Sequence, residues 1–395
     1  FKKFWEANLP LSAGDAIKDG FLEEEALYIT TELGSVFALV ADVGLIRWAE
    51  HLTDPDFTIF GPAHLRQATG KGPVVIPTTT ATFVFDRFTG ELIQRFTPPF
   101  ATGGAAVGYD NNVFMGSTGG RVYSLILDPR LPQPMIKWEV MASGPISAAP
   151  VLYDGSNLLI ASQGGLVASC FAKDKAYQWS YKTGGPIFGS PAVDATGVYV
   201  ASMDRSVYKI NKGLGIPIWR ARFPRPLDQG PIVVAGQVYQ YCDTKGLTAL
   251  DGARGGELWT HADGLALAAH SEAGDVIFTR NNTLDVLEPQ TGSLRASIAA
   301  PCVLKVISNP TNSSVYALGM DGRVACIRLD TTPYLRRQQI ISARNQLNQP
   351  PIDDSALIKP VFEKTERIDP LENDPLRSRR DIEPPKPKAE PKEPN

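Results

Sequence analysis

The sequence predicts an all-β chain folded as an eight-bladed β-propeller, and three observations carry the prediction. Eight nine-residue segments, each with a polar or glycine centre and an alternating apolar end, recur along the chain at roughly 40-residue spacing. Tryptophan stands 17 residues behind the start of four of them. The 35 glycines and 32 prolines in 395 residues supply the turns that many short strands need.

The segments span 31–39, 77–85, 117–125, 162–170, 202–210, 242–250, 279–287 and 319–327, so their starts lie 46, 40, 45, 40, 40, 37 and 40 residues apart. A turn in the middle and period-2 apolar residues after it read as a β-hairpin. A short strand precedes most hairpins, as at Val113-Phe-Met, Leu158-Leu-Ile, Val198-Tyr-Val, Val238-Tyr and Val315-Tyr-Ala. Further upstream, Ala149-Pro-Val, Ser190-Pro-Ala and Gly230-Pro-Ile mark another strand. Downstream comes an acidic residue and a glycine, best seen in Ala249-Leu-Asp-Gly-Ala-Arg-Gly-Gly-Glu-Leu-Trp259 and again around Asp86 to Gly90. The acid caps the turn's backbone and the glycine allows its positive φ. The last strand carries the indole: Trp48, Trp179, Trp219 and Trp259 each fall 17 residues after their segment begins. Trp138 falls 21 after, because a proline-containing insertion occupies 128–134. At one position per blade, these indoles are expected to pack blade against blade.

The eighth unit lacks a fourth strand of its own. Phe4-Trp5-Glu-Ala-Asn-Leu9 resembles the tryptophan strands, so residues 1–9 are expected to close the ring as the outer strand of the last blade, with Trp5 in the indole register. The propeller then occupies 1–330. From 331 to 362 the chain keeps scattered apolar residues, among them Tyr334, Leu335, Ile340 and Ile341, and reads either as an arm that docks or as a solvated linker. Charged residues make up 20 of the last 45, and prolines crowd the same stretch, so 363–395 is expected to be a disordered Pro/Lys/Glu-rich tail.

Thirty-nine basic against 42 acidic side chains, net −3, give no basic footprint for nucleic acid. No apolar run reaches the roughly 18 residues of a membrane-spanning helix. The chain begins at Phe1, and an export leader or lipid-bearing cysteine is expected upstream of it. Cys170, Cys242, Cys302 and Cys326 are far apart and form no ligand spacing; each reads as a small buried hydrophobe. His51 and His261 follow a blade tryptophan closely and are expected at exposed strand ends or in loops, and no histidine belongs to a recognisable catalytic arrangement. Asp54-Pro-Asp56 is the nearest thing to an acidic cluster and reads as a solvated loop. No residue is assigned a catalytic, cofactor-binding or metal-binding role.

The pattern of acidic turn, glycine and tryptophan on registered copies resembles the PQQ-type (quinoprotein-like) propeller repeat over about residues 1–330. At this length it looks most like the eight-bladed outer-membrane β-barrel assembly lipoproteins of that family. The resemblance implies a non-catalytic envelope scaffold, periplasmic or outer-membrane-associated, with protein partners. In those proteins two interblade loops dock on a periplasmic domain, through Leu-x-Leu-Arg and Asp-x-Asp. The corresponding loops here read Thr183-Gly-Gly-Pro186 and Pro226-Leu-Asp228, and only Asp228 is retained. The candidate partner-binding residues are Arg222, Phe223, Arg225, Leu227 and Asp228, two arginines and an aromatic on a proline-stiffened loop. A ligand-binding or sensory propeller using the central funnel is the alternative. A PQQ-dependent oxidoreductase with Ca²⁺ comes last, because the adjacent cysteines and acidic cluster that the resemblance would require are missing.

Overall fold

The computed structural model describes residues 1–67, 70–271, 273–310 and 313–328. By its contacts the chain divides into Phe1–Ile358 and Lys359–Asn395, and every described residue belongs to the first unit. The expected arm at 331–362 and tail at 363–395 lie outside the described residues.

Those residues form eight four-stranded antiparallel sheets. Blades 1 to 7 occupy 17–51, 63–96, 107–141, 151–182, 192–222, 232–261 and 264–299, each running from inner to outer strand in chain order. Blade 8 takes three strands from 303–328 and its outer strand from Lys2–Asn8. The closing strand pairs antiparallel with Arg323–Arg328, placing Lys2 opposite Arg328 and Asn8 opposite Arg323, as the N-terminal resemblance predicts. Arg328 lies over the Phe4 ring at 4.3 Å and donates to Asp42 of blade 1 at 2.8 Å.

Apart from Arg323–Arg328 in blade 8, the middle strands are largely buried on both faces, so the core is a ring of eight interblade clusters rather than one central mass. Six joints carry an indole whose Nε1–H donates to a backbone carbonyl in the outer turn of the next blade. Trp5 reaches Ala41 at 3.0 Å, Trp48 reaches Arg87 at 3.1 Å, Trp138 reaches Ala172 at 3.2 Å and Trp179 reaches Lys212 at 2.7 Å. Trp219 reaches Gly252 at 3.1 Å and Trp259 reaches Pro289 at 2.7 Å. Five of these indoles are buried, whereas Trp219 is only half-buried. An aromatic twenty residues upstream packs on several of them, as in Tyr28–Trp48, Tyr199–Trp219 and Tyr239–Trp259.

The receiving turn is built as its sequence predicts. Asp86 Oδ1 accepts from the amides of Phe88 and Thr89, both at 2.8 Å, and Gly90 follows at φ +77°. A Cβ there would sit 2.5 Å from Trp48 Cγ, so both backbone conformation and space demand glycine. In blade 2 the register position holds Gln94. Its buried amide donates to Leu131 O at 2.7 Å, inside the 128–134 insertion of blade 3. The insertion therefore meets a side chain shorter than tryptophan.

Candidate partner-binding surface

The outer strands of blades 3, 4 and 5 lead into three loops of one frame. They read Met141-Ala-Ser-Gly-Pro-Ile-Ser147, Lys182-Thr-Gly-Gly-Pro-Ile-Phe188 and Arg222-Phe-Pro-Arg-Pro-Leu-Asp228. The second position of each is buried and its amide returns to the preceding hairpin: Ala142 to Gly120 O, Thr183 to Gly165 O and Phe223 to Arg205 O, each at 2.8 Å. The sixth is an apolar plug, Ile146, Ile187 or Leu227, no more than 1% exposed. The plug amides point at Ser117 O, Ser162 O and Ser202 O, the first residues of the three hairpins.

This frame corrects part of the sequence-based assignment. Phe223 and Leu227 are core side chains of the blade 5–6 joint, packed with Tyr199, Val207 and Val238, and are not available to a partner. Arg222, Arg225 and Asp228 of the same loop are exposed. The frame also brings up residues that sequence reasoning passed over: Met141 (68% exposed), Lys182 and Phe188 (39% exposed). The x-x-Pro-Ile/Leu repeat at 145, 186 and 226 was the available signal. On the outer turn and strand of blade 5, Leu214, Ile216 and Ile218 are exposed as well. From 142 to 228 there are nine basic and five acidic side chains, in a chain that is acidic overall. Blades 4 and 5 thus offer a basic, apolar-studded rim.

The inner strands enclose a cavity of about 640 Å³ lined by blades 1, 2, 3, 4 and 8, with small or apolar residues such as Gly61, Ala105, Ala106, Val151 and Ile307. Its charged lining is Asp19, Glu23 and Lys305, and Lys305 Nζ is already held by Asp19 Oδ1 at 2.6 Å. His64, whose side chain is fully buried, also belongs to this wall. His64 Nδ1 meets Arg87 Nη1 at 2.9 Å and Glu24 Oε2 at 3.2 Å, while Nε2 faces Tyr28 Oη at 2.8 Å. Glu24 Oε2 accepts from Arg87 at 3.0 Å. Burial, and next the Arg87 charge, push the His64 pKa down to about 4, whereas the hydrogen bonds and charges of His64 and Arg87 hold the Glu24 carboxyl below its usual range against its own desolvation. A neutral imidazole between a tyrosine and an arginine, closed to solvent, ties blade 1 to blade 2.

Other sequence-based assignments fall as follows. His51 is exposed at the end of its strand, but His261 is half-buried and bridges to Asp285 of blade 7 at 3.0 Å. Cys170, Cys242 and Cys326 are buried, whereas Cys302 is exposed in a turn. Asp54 and Asp56 lie in an exposed turn. Among the described residues no group of three or more His, Cys, Asp or Glu could hold a metal ion. An anionic quinone carried with Ca²⁺ would need cationic donors and convergent oxygens. The cavity offers small apolar walls, two acids and a lysine already paired, so its residues do not fit that group.

A family model described as outer membrane protein assembly factor BamB matches residues 135–224 and 189–354. A curated BamB from Yersinia pestis is 25% identical over 195 residues, covering 45% of this chain and 48% of that protein, so the chain spans about half the length of the curated relative it matches. The crystal structure of BamB from Moraxella catarrhalis superposes with a TM-score of 0.67 at 16% identity, over 85% of this chain and 99% of that one. The computationally designed Ika8 protein superposes with a TM-score of 0.62 at 14% identity, over 80% and 96%. Among the described residues no helix is long and apolar enough to cross a membrane.

Proposed function

The chain belongs to the BamB family of PQQ-type propellers, and from that premise we propose that it is a non-catalytic scaffold of the cell envelope. Its partners are proteins, and it works in the periplasm or at the outer membrane, as the names of its relatives suggest. The observation that carries the reading is the three-loop frame, whose buried second and sixth positions fix a surface of Met141, Lys182, Phe188, Arg222, Arg225 and Asp228. Arginine beside exposed apolar side chains is what protein interfaces favour, and a fixed backbone lowers the ordering cost of binding. Its excess of basic side chains suits a partner with an acidic face.

The test is Arg222→Glu with Arg225→Glu in one chain. Both side chains are exposed, so melting should stay within about 0.5 kcal/mol of wild type, while capture of envelope proteins by the immobilised chain should fall. Undiminished capture with the same proteins would sink the scaffold reading at this surface. A second reading, a ligand-binding or sensory propeller, is favoured by the cavity with its Asp19–Lys305 pair. Calorimetry with envelope metabolites on the Lys305→Met chain and on wild type separates the two.

A further inference from the structure

Neighbouring blades are stitched together where the loop of one meets the hairpin turn of the next. In six of the eight joints a turn amide donates to the carbonyl just before the loop's buried inward position. The donors are Glu32, Thr79, Thr118, Gln163, Met203 and Arg280, at 2.8–3.0 Å. Blades 4 and 5 add a bond from the serine that opens the hairpin, Ser162 Oγ to Ser143 O at 2.7 Å and Ser202 Oγ to Gly185 O at 3.0 Å. Asp204 also accepts from Gly184 N at 3.0 Å. The 7–8 joint, with only 300–302 between its strands, lacks the stitch. So does the 5–6 joint, whose loop carries Arg222 and Arg225.

There Asp243 holds the donor position and Pro226 the acceptor position, and no bond joins them. Cys242 stands where Ser162 and Ser202 stand, and Thr244 and Pro224 replace Asp204 and Gly184. Proline has no N–H to offer. Among the described residues, the carbonyls of 223–226 accept no hydrogen bond, and the amides of Asp243 and Thr244 donate none. Pro224, Arg225, Pro226, Asp243 and Thr244 are all exposed, while the buried Phe223 and Leu227 pack with Cys242, so loop and turn adjoin. Arg205, Arg222 and Arg225 are exposed and form no ion pair among the described residues; the acids beside them are Asp228 and Asp243.

Given the partner-binding role proposed for this rim, we propose that what docks here is an extended, acidic segment of a partner protein. Its backbone bonds to the carbonyls of 224–226 and to the amides of Asp243 and Thr244, and its carboxylates meet Arg222 and Arg225. A row of acceptors beside two donors matches the alternating N–H and C=O groups of an extended chain, as when a strand is added to a sheet edge. The arginines select carboxylates. A bare anion would satisfy the arginines but would meet the carbonyl oxygens as like partial charges, so a chain that brings both N–H groups and carboxylates fits better.

The probe is a short synthetic peptide of alternating aspartate and valine, added to the full chain, with a second peptide N-methylated along its backbone as control. On saturation with the first, amide exchange at Asp243 and Thr244 should slow about tenfold, with Val198–Ser202 in blade 5 unchanged. The methylated peptide should leave both amides as they were. On the Arg222→Glu/Arg225→Glu chain, half-saturation should need about tenfold more peptide. Equal protection by both peptides, protection by neither, or an unchanged requirement in the variant overturns the proposal. Protection of the same amides by phosphatidylglycerol vesicles and not by the peptide assigns the rim to a lipid surface and overturns it too. Failure of the peptide while capture of envelope proteins still depends on the two arginines sinks this binding mode alone; the scaffold reading falls only when capture itself is indifferent to them.

Discussion

At the scale of single residues, the joints are held by buried polar groups with assigned partners, and that makes them sensitive to acid. His64 is neutral in the fold, with its pKa at about 4 against an ordinary 6.5. Its stabilisation is complete above 6.5 and is lost as pH falls through that window, because the unfolded chain takes up the proton first. The loss amounts to roughly 3 kcal/mol at full protonation. Glu24, held below its usual range, loses its contribution in the same direction as pH falls further. Melting temperature should therefore decline on acidification through this range, and His64→Gln should flatten the decline; equal slopes would assign the acid sensitivity elsewhere. The indoles set a second scale. Trp48→Ala removes a buried ring and its bond to Arg87 O, and should cost about 3–5 kcal/mol in denaturant unfolding. Trp219→Ala should cost less, about 2 kcal/mol, because that ring is half-exposed and Gly252 O keeps Lys209 Nζ at 2.7 Å.

At the scale of elements, the loop at 222–228 separates structure from recognition within seven residues. Leu227→Ser should destabilise by about 2–4 kcal/mol, by losing a plug and burying a hydroxyl. Arg225→Glu should leave unfolding unchanged within about 0.5 kcal/mol. Chemical denaturation of the two variants checks the division. Strands, turns and ring closure were legible from the sequence because the hairpin period, the Asp/Gly turn and the tryptophan offset all repeat. The loop was harder. Read alone, Arg-Phe-Pro-Arg-Pro-Leu-Asp looks like seven presentable side chains. Only the alignment with 141–147 and 182–188 shows that two of them are plugs, and that Met141, Lys182 and Phe188 share the surface. Gln94 was invisible for a different reason: its partner is a backbone carbonyl in another blade's insertion, which no spacing announces. The buried Tyr28–His64–Arg87 set likewise joins residues 36 and 23 positions apart, through a cross-blade packing that no local pattern specifies.

At the scale of the whole molecule, charge is distributed unevenly around the ring, with basic residues in excess over blades 4 and 5 and acidic ones in excess elsewhere. An acidic partner should then associate faster at low ionic strength, and its on-rate should fall as salt screens the field beyond about 8–10 Å. Stopped-flow or surface-binding rates across a salt series, on wild type and on the Arg222→Glu/Arg225→Glu chain, should converge at high salt; rates indifferent to salt would remove the electrostatic component. The closing strand has a consequence in time rather than in space. Trp5 pairs with Cys326, and Lys2 with Arg328, so a strand that precedes blade 1 in the chain must wait for the strand at 323–328. Blades 1 to 7 are each assembled from contiguous chain and can form as they emerge, but blade 8 cannot be finished by local search. Its formation carries the largest loop-closure entropy in the molecule, which makes it the slow, terminal step of folding. A chain interrupted before residue 323 would be left as an open arc, with the apolar face of Lys2–Asn8 unsatisfied at one end.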